Sequence, residues 1–432
     1  MNTHNATPTS RLEFRRNWKA LLAASIGMGF GVPGIPLYTT GLSVNSLNDE
    51  FGWSLARLSL LQLVGSIVLV VASPLVGWMA DRLPSRALAC MGLGSLGLGY
   101  VLLSTSGPSF GIFLAMFVGM YVLASPAMPT AFARVVSQRF YAARGFALGL
   151  AFSFVGVVAF FVPIFLGNLM ASDWRMGYRT LGVAILVAAV VVIALMPRSG
   201  AGSINRSHQA HAAATSSNRD SIMPYLRRRV FVQLALSYLL VVVAIGWGPL
   251  LLIPMLRSGG VSAGTAAIVA SAIGLSVVFG RLAIGLFMDR FFAPYVGAGS
   301  ILITAAGLTL FAWGGPAYGI VAAVALGFLL GSEIDVLGYL TSRYYPIAVY
   351  GRMFGAFYIM ISIGGGVSPL LFSKLREVTG GSTIPVMICV VMLLLAAAVI
   401  ASAPRFPSDN GADAPSHPLG APVRLEPSRA DS

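Results

Sequence analysis

Three charged residues stand inside long apolar stretches of this chain, where a charge is costly. Glu333 and Asp335 lie two residues apart in GSEIDVLGYLTSRYY, directly after the uncharged run YGIVAAVALGFLL, and Arg281 interrupts a second apolar run. A guanidinium group matches a carboxylate through paired hydrogen bonds, and a buried carboxyl group can take up a proton. The three residues together could therefore bind an organic anion and carry a proton.

The two carboxylates cannot serve one task from one direction, because residues two apart on a helix point to different faces. Asp335 shares a helical face with Gly331, and Glu333 shares one with Leu330. We expect one carboxylate to balance Arg281 and the other to take up the coupling proton. Periodicity does not tell which face meets a cavity, and the alternative that both acids only brace their helix stays open.

Counting residues predicts that these charges meet at one depth. Arg281 lies nine residues before Arg290, and Asp335 lies eight before Arg343. At about 1.5 Å per residue, both would sit roughly 12–13 Å above the arginines that end their helices. Glu333 would lie about 3 Å deeper. All three side chains are therefore expected at one level of the bundle.

The composition predicts an all-α membrane protein. Hydrophobic residues make up 57% of the chain and charged residues 10%, against about 25% charged in soluble proteins. Apolar runs recur at about the 20 residues that a bilayer-spanning helix needs. We predict twelve transmembrane helices, at 18–41, 55–79, 87–105, 109–136, 145–170, 175–196, 230–256, 262–288, 295–314, 316–342, 351–373 and 383–403.

The basic residues predict the orientation. With both termini on one side, that side holds 20 of the Lys and Arg residues and the other side holds 5. The positive-inside rule then makes both termini cytoplasmic. The net charge of +14 follows from this topology and does not indicate nucleic-acid binding, so the lipid bilayer is the expected partner. The five basic residues on the other side are Arg57, Arg175, Arg257, Lys374 and Arg376.

The sequence offers no residues for cofactor or metal chemistry. Cys90 and Cys389 are the two cysteines, both in predicted spans, and the four histidines lie in the tails or the central loop. No metal site, cofactor or nucleophile constellation is therefore expected, which argues against a membrane enzyme. No polar segment is long enough for a signalling domain, which argues against a sensor that does not transport.

The two halves of the chain repeat one another. GWMADR at 77–82 returns as GLFMDR at 285–290, and GFALG at 145–149 returns as GRMFG at 351–355, at offsets of 208 and 206. We infer two pseudo-symmetric six-helix bundles, whose interface should hold a substrate site near the bilayer midplane. The predicted division is an N-terminal tail 1–17, a bundle 18–196, a linker 197–229, a bundle 230–403 and a disordered tail 404–432.

The repeated motif resembles the loop signature of the major facilitator superfamily. Gly77, Asp81 and Arg82 fit its first copy, in which Pro84 and Ser85 depart from the pattern. This resemblance implies the major facilitator fold and a monomeric secondary transporter. It also implies a cytoplasmic gate of charged residues at the helix ends. The candidate gate residues are Asp81, Arg82, Arg134, Arg139, Asp289 and Arg290.

Within that superfamily the chain resembles the monocarboxylate and oxalate:formate porter group and its bacterial relatives. RFYAARGFALGLA at 139–151 is similar to a signature of that group, and Arg281 stands where the group has an anion-facing arginine. Val277 replaces an acidic residue of the animal carriers, and the eleventh predicted span lacks the lysine of the oxalate carrier. One deep positive charge suits one carboxylate better than two.

The resemblance implies proton-coupled uptake of a small organic anion such as a monocarboxylate, across a bacterial inner membrane. Arg281 would hold the substrate carboxylate, and Glu333 or Asp335 would carry the proton. Export or exchange of organic anions or amphipathic compounds stays an alternative. Three aromatic residues are further candidates for lining the substrate cavity: Tyr38, Trp247 and Tyr358.

Overall fold

The computed structural model describes residues 10–32, 34–140, 144–196, 223–288 and 290–406. All regular elements of these residues are helical. The α-helices are α1 (Ser10–Phe30), α2 (Gly34–Phe51), α3 (Leu55–Arg82), α4 (Ser85–Leu103), α5 (Phe110–Ala124), α6 (Pro129–Ser137), α7 (Arg144–Ser172), α8 (Trp174–Leu195), α9 (Met223–Leu226), α10 (Arg229–Ile245), α11 (Gly248–Ser258), α12 (Ala263–Met288), α13 (Ala293–Gly314), α14 (Gly319–Tyr344), α15 (Ile347–Thr379) and α16 (Thr383–Ala401).

Eleven stretches of the described residues are long and apolar enough to cross a membrane. The stretch from Ala293 to Tyr344 has 52 residues, which would be roughly 78 Å long as one helix, whereas the bilayer core is about 30 Å thick. The stretch instead breaks at Gly315, whose φ of 62° is a conformation that glycine adopts without strain. The two resulting helices, α13 and α14, pack against each other. The described chain therefore makes twelve crossings, which confirms the predicted all-α membrane fold.

The first and seventh crossings are broken helices. α1 ends at Phe30 and α2 begins at Gly34, yet the Ile35 amide donates to the Gly31 carbonyl at 3.1 Å across the break. Both α1 and α2 pack against α7, so they follow one path through the bundle. The seventh crossing breaks between α10 and α11. Pro249 lies in the first turn of α11 and has no amide hydrogen to donate to a carbonyl group of α10.

The predicted N-terminal tail is partly helical. α1 begins at Ser10, inside the segment 1–17 that the sequence assigned to the tail. The Phe14 ring packs against Phe140 with centroids 5.1 Å apart, and the Asn17 amide donates to a backbone carbonyl at 3.1 Å. These contacts extend the first helix beyond its apolar stretch, which hydropathy alone does not reveal.

The ordered C-terminal bundle also extends beyond its predicted end at residue 403. Phe406 lies in the segment 404–432 that the sequence predicted to be disordered, but its ring packs 4.9 Å from Phe292 and 5.0 Å from Tyr344. Residues 407–432, and most of the predicted linker, lie outside the described residues. The end of the linker is described and forms the short helix α9.

The molecule has two halves that meet along three pairs of helices. We call α1–α8 the N-half and α9–α16 the C-half. The face at which α1 begins is the N-terminal face, and the face at which α2 ends is the opposite face. Between the halves, α2 packs against α11, α3 against α15, and α7 against α12.

The two halves touch closely toward the opposite face and separate toward the N-terminal face. A Cβ atom at Gly41 would lie 2.7 Å from the Leu250 carbonyl oxygen, and the Ser59 and Ser373 hydroxyls lie 2.8 Å apart. By contrast, a Cβ at Gly149 would meet no atom within 4 Å. This conformation is therefore closed at the opposite face. Other glycines that are open in this way toward the N-terminal face are Gly145, Gly351 and Gly355.

Candidate functional site

A cavity of about 170 Å³ lies between the two halves. Six helices form its wall, with α2 and α3 from the N-half and α10, α11, α14 and α15 from the C-half. Its position agrees with the expectation that duplicated bundles bind their substrate at the interface. The lining residues are Leu37, Gln62, Ser66, Leu69, Val70, Ser73, Met128, Val242, Ile245, Gly246, Pro249, Leu330, Glu333, Ile334, Tyr358, Ile359, Ile361, Ser362 and Gly365.

Glu333 is the one acidic residue on this wall. Its residue exposure is 8%, and its Oε2 atom is buried without a hydrogen-bond partner among the described residues. An ionised carboxylate in such a place lacks both water and a counter-ion, which is a costly state. The cavity wall therefore favours the protonated form of this carboxyl group over an ionised form without a partner.

Asp335 and Arg281 form an ion pair beside this cavity. Arg281 Nε lies 2.8 Å from Asp335 Oδ2 and 3.4 Å from the Gly331 carbonyl oxygen. The side chains keep exposures of 13% for the arginine and 35% for the aspartate. The pair confirms the prediction that these two residues meet at one depth.

Close packing of α12 against α14 brings the ion pair together. A Cβ at Gly331 would lie 2.2 Å from the Val277 carbonyl oxygen, and one at Gly280 would lie 2.4 Å from the Phe328 carbonyl oxygen. Glycine at both positions therefore lets the two backbones touch. The guanidinium of Arg281 then spans the short remaining gap to α14, and its Cζ lies 5.4 Å from the ring centroid of Phe152 in the N-half.

Three tyrosines surround the Glu333 carboxyl group within electrostatic range: Tyr38, Tyr238 and Tyr358. Tyr38 also interacts with Arg281, and Tyr238 also interacts with Asp335. Tyr358 lines the cavity itself. The structure thus brings two of the three predicted aromatic residues to the acidic pair. Tyr238 was missed by sequence reasoning, because a tyrosine in an apolar run carries no signal of its neighbours.

Trp247, the third predicted aromatic residue, lies elsewhere. It is 0% exposed, its ring stacks on Phe372 at 4.2 Å, and its Nε1 donates to the Ala244 carbonyl at 2.8 Å. It is absent from the cavity wall. The structure therefore places Trp247 in the packing at the break between α10 and α11, away from the wall of this cavity.

Of the predicted gate residues in the N-half, three have described side chains. Arg134 donates from Nη1 to the carbonyl of Ala80, close to the end of α3. Arg82 is exposed, and its guanidinium lies 4.2 Å from the ring centroid of Trp78. Arg139 is half-buried. The Asp81 side chain is outside the described part of the structure, so its predicted pairing with the arginines stays a prediction.

Of the two predicted gate residues in the C-half, one has a described side chain. Arg290 is exposed at the end of α12, and Asp289 lies outside the described residues. Because the halves are separated at the N-terminal face, a gate at that face is open in this conformation.

The polar side chains of α3 were also missed by sequence reasoning. Gln62 is 8% exposed and Ser66 lies one turn further along, and both line the cavity. Neither has a hydrogen bond to another described residue, whereas most serines of the bundle donate to a backbone carbonyl. An amide inside the run LSLLQLVGSIVLVV was the available signal. These two groups are therefore free to bond a ligand.

Two weaker motifs of the sequence meet at the opposite face of the N-half. Glu50 belongs to EFGWS, while Trp174 and Arg175 belong to DWRMGY. Trp174 Nε1 and Arg175 Nη1 each lie 2.5 Å from a Glu50 carboxylate oxygen. The motifs thus fasten the end of α2 to the start of α8. Among the described residues no group of His, Cys, Asp and Glu could hold a metal ion.

Comparison with known families decides the class of protein. Residues 19–369 match the family described as Major Facilitator Superfamily. The chain belongs to this superfamily. It is accordingly a membrane transporter and not an enzyme, and the superfamily part of the sequence resemblance is confirmed. None of the curated proteins matches the chain.

Solved structures share the fold of this superfamily member at low identity. A D-xylose–proton symporter is 17% identical, with a TM-score of 0.70 over 89% of this chain and 97% of that one. A bacterial homologue of the human lysosomal transporter Spinster, inward-facing and occupied, is 16% identical, with a TM-score of 0.66 over 91% and 97%. A mutant of the nucleoside transporter NupG is 14% identical, with a TM-score of 0.70 over 88% and 98%.

Proposed function

We propose that this transporter works by alternating access and takes up a small organic anion, such as a monocarboxylate, together with a proton. The observation that carries the proposal is the Arg281–Asp335 ion pair next to Glu333, an unpaired carboxyl group on the wall of the cavity between the halves. Arg281 would bind the substrate carboxylate. Asp335 balances Arg281 when the site is empty, and Glu333 carries the proton.

The charges of the site explain why anion and proton would move together. In the empty site, Arg281, Asp335 and an ionised Glu333 sum to one negative charge. A monoanion added alone would raise this to two negative charges in a place of low dielectric, which is unfavourable. A proton on Glu333 cancels the charge of the substrate. The loaded site then carries the same net charge as the empty one, so anion binding is favoured only with the proton.

The geometry of the ion pair allows the exchange of partners. Asp335 binds Arg281 through Nε, while a guanidinium group has five N–H donors in all. A substrate carboxylate can therefore approach the remaining donors before Asp335 lets go. Asp335 is also the more exposed partner, so it can turn toward water when the substrate takes its place.

The size of the cavity favours a small substrate. Its volume of about 170 Å³ lies below the roughly 300–1,000 Å³ of sites for drug-sized ligands. Gln62 and Ser66 on the N-half wall can bond a second polar group of the same molecule. A short carboxylate, with or without a hydroxyl or keto group, fits these limits.

Uptake follows from the proposed orientation. With the basic N-terminal face in the cytoplasm, the conformation described here is closed to the outside and open to the inside. In the presence of an inward proton gradient, protonation of Glu333 from the outside would load the carrier, and release to the cytoplasm would follow. The bacterial inner membrane and the monocarboxylate porter branch belong to this proposal.

A second candidate function is export or exchange of an amphipathic compound. Apolar side chains make up much of the cavity wall, including Leu37, Leu69 and Val242. Such a wall would accept the hydrophobic body of a larger anion. The two candidates differ in direction and in the size of the preferred substrate.

Uptake into proteoliposomes tests the proposal. A panel of labelled mono- and dicarboxylates and one amphipathic organic anion would be offered with and without an inward proton gradient. We expect a short monocarboxylate to accumulate with the gradient in the wild type, and Asp335→Asn to keep binding but alter its pH dependence. Accumulation of only the amphipathic compound, or transport driven outward by the gradient, would favour the second candidate. Movement of none of the anions would refute both.

A further inference from the structure

A second polar cavity lies at the opposite face, far along the helices from Glu333. Its volume is about 330 Å³. One side comes from α2 of the N-half, and the other comes from α11 and α15 of the C-half. Polar side chains dominate its wall: Asn45, Asn48, Asp49, Arg257, Ser258 and Arg376.

The arginines of this cavity are unusual for their face of the molecule. Of the five basic residues on this side, Arg175 is paired with Glu50 at 2.5 Å and Lys374 with Glu377 at 2.9 Å. Arg257 has neither an acidic partner nor a hydrogen bond from its guanidinium among the described residues. Arg376 donates to a serine hydroxyl at 2.8 Å and likewise has no acidic partner there. Both positive charges of the cavity are therefore left for another anion.

The N-half contributes a donor that lacks an acceptor. Asn45 Nδ2 is buried and makes no hydrogen bond among the described residues. A buried donor left unsatisfied is unfavourable, so an acceptor in the cavity would stabilise the protein. Asn48 uses its amide nitrogen on the Trp53 carbonyl at 2.8 Å and leaves its oxygen for other partners. The cavity thus presents hydrogen-bond donors from both halves.

We propose that this cavity is a second anion site, which binds a small carboxylate between Arg257 and Arg376 on one side and Asn45 on the other. Asp49 reduces the charge of the cavity to one net positive, which suits a monoanion. The site bridges the two halves, so it is complete only while the opposite face is closed. A bound carboxylate therefore holds that face closed and must leave before it opens. This role does not depend on which substrate the central cavity carries.

The test uses full-length protein in nanodiscs, with acetate as the probe and chloride at equal ionic strength as the reference. Spin labels at Thr105→Cys and Val378→Cys, with Cys90 and Cys389 replaced by serine, would report the distance between the halves at the opposite face. The midpoint of thermal unfolding would serve as a second reporter of binding. We expect acetate to increase the short-distance population and to raise the unfolding midpoint, both with saturation.

Variants locate the effect. Arg257→Ala and Arg376→Ala should each raise the acetate concentration needed by about tenfold or more, because each removes a charge-assisted hydrogen bond. Lys374→Ala, a matched loss of charge on the same helix end, should leave the response unchanged. A response to acetate should also remain in Arg281→Ala, because that variant lacks the central arginine and keeps the second cavity intact. Arg257→Lys should keep a partial response to acetate, which would show that the site is still folded.

Three results would overturn the proposal. The first is no response to acetate beyond that to chloride. The second is a response lost in Arg281→Ala but kept in Arg257→Ala and Arg376→Ala, which would assign the effect to the central cavity. The third is an equal loss in Lys374→Ala, which would assign it to surface charge.

Discussion

The N-half and the C-half have matching folds but place different polar groups in their interiors. In the N-half, hydroxyl groups pair with one another, as Thr39 does with Tyr100 at 3.1 Å and Ser43 with Tyr178 at 2.8 Å. In the C-half, Arg281 and two carboxylates lie inside the bundle, nearer the N-terminal face. The neutral pairs are satisfied within the N-half, while the charges of the C-half border the cavity.

Under the proposed function, this difference gives the two halves different tasks. Charges that bind an anion and a proton must change partners during a cycle, and they are concentrated in the C-half. The N-half supplies a neutral polar wall and the surface against which the C-half moves. Substitutions of matched residues in the two halves should therefore have unequal effects on transport.

Removal of the central arginine should have the largest effect. We expect Arg281→Ala to lower kcat/KM for carboxylate uptake by about 100-fold or more, because it removes charge-assisted hydrogen bonds and leaves Asp335 without its counter-ion. Arg179 is an arginine within a helix of the N-half that serves as the comparison, and its Nε donates to the Ser104 hydroxyl at 3.2 Å. Arg179→Ala should change kcat/KM by no more than about twofold. Equal losses of kcat/KM in both variants would contradict the functional difference between the halves.

Replacement of a buried acid in each half should separate proton coupling from packing. Wild-type uptake should rise as the pH falls, since protonated Glu333 accepts the anion. Glu333→Gln is permanently neutral, so uptake should become independent of pH and of the proton gradient while substrate counterflow continues. Glu13 of the N-half is also buried, at 3% exposure, and Glu13→Gln should keep the wild-type pH profile. If uptake by Glu333→Gln still depended on the proton gradient, a group other than Glu333 would carry the proton.

An added methyl group at the contact between the halves should shift the conformation. Gly41→Ala places a Cβ 2.7 Å from the Leu250 carbonyl oxygen, and relief of that overlap costs about 1 kcal/mol or more. The population open at the opposite face should rise, as measured by spin-label distances. Gly149→Ala meets open space in this conformation and should change these distances little. A larger shift in Gly149→Ala would mean that the described conformation is the minor one.

The smallest effect should come from a matched pair of tyrosines. Tyr238 interacts with Glu333 and Asp335, and a hydroxyl close to a carboxylate stabilises its ionised form. Tyr238→Phe should move the pH midpoint of uptake upward and change uptake at a fixed pH by about two- to threefold. Tyr100→Phe should leave the pH profile intact and reduce stability by about 1 kcal/mol, because it removes one hydrogen bond. Identical pH profiles of uptake for the two variants would show that Tyr238 does not act on the proton-carrying group.

Much of this arrangement could be predicted from the sequence. Hydropathy and the count of residues to the loop arginines predicted the twelve crossings and the meeting of Arg281 with Asp335. Both depend on spacing along single helices, which the sequence shows directly. The assignment of Asp335 to the arginine and of Glu333 to the cavity needed the rotation of α14 about its axis, which packing against α12 determines.

Other features depend on contacts between distant segments and could not be predicted. Trp247 looks like a cavity residue in the sequence, yet the break after α10 turns its ring toward Phe372. Ser10 begins a helix because α1 packs on residues more than a hundred positions away. The opposite-face cavity combines α2 with α15, and no local pattern links Asn45 to Arg376.

Simultaneous measurement of anion and proton movement tests the central claim most directly. Purified protein in liposomes that contain a pH dye would be given a labelled monocarboxylate outside, without a membrane potential. The account predicts that uptake acidifies the lumen in proportion to the anion taken up, that no net charge moves, and that Glu333→Gln abolishes the acidification. Anion uptake by the wild type without acidification, or with a net current, would contradict it.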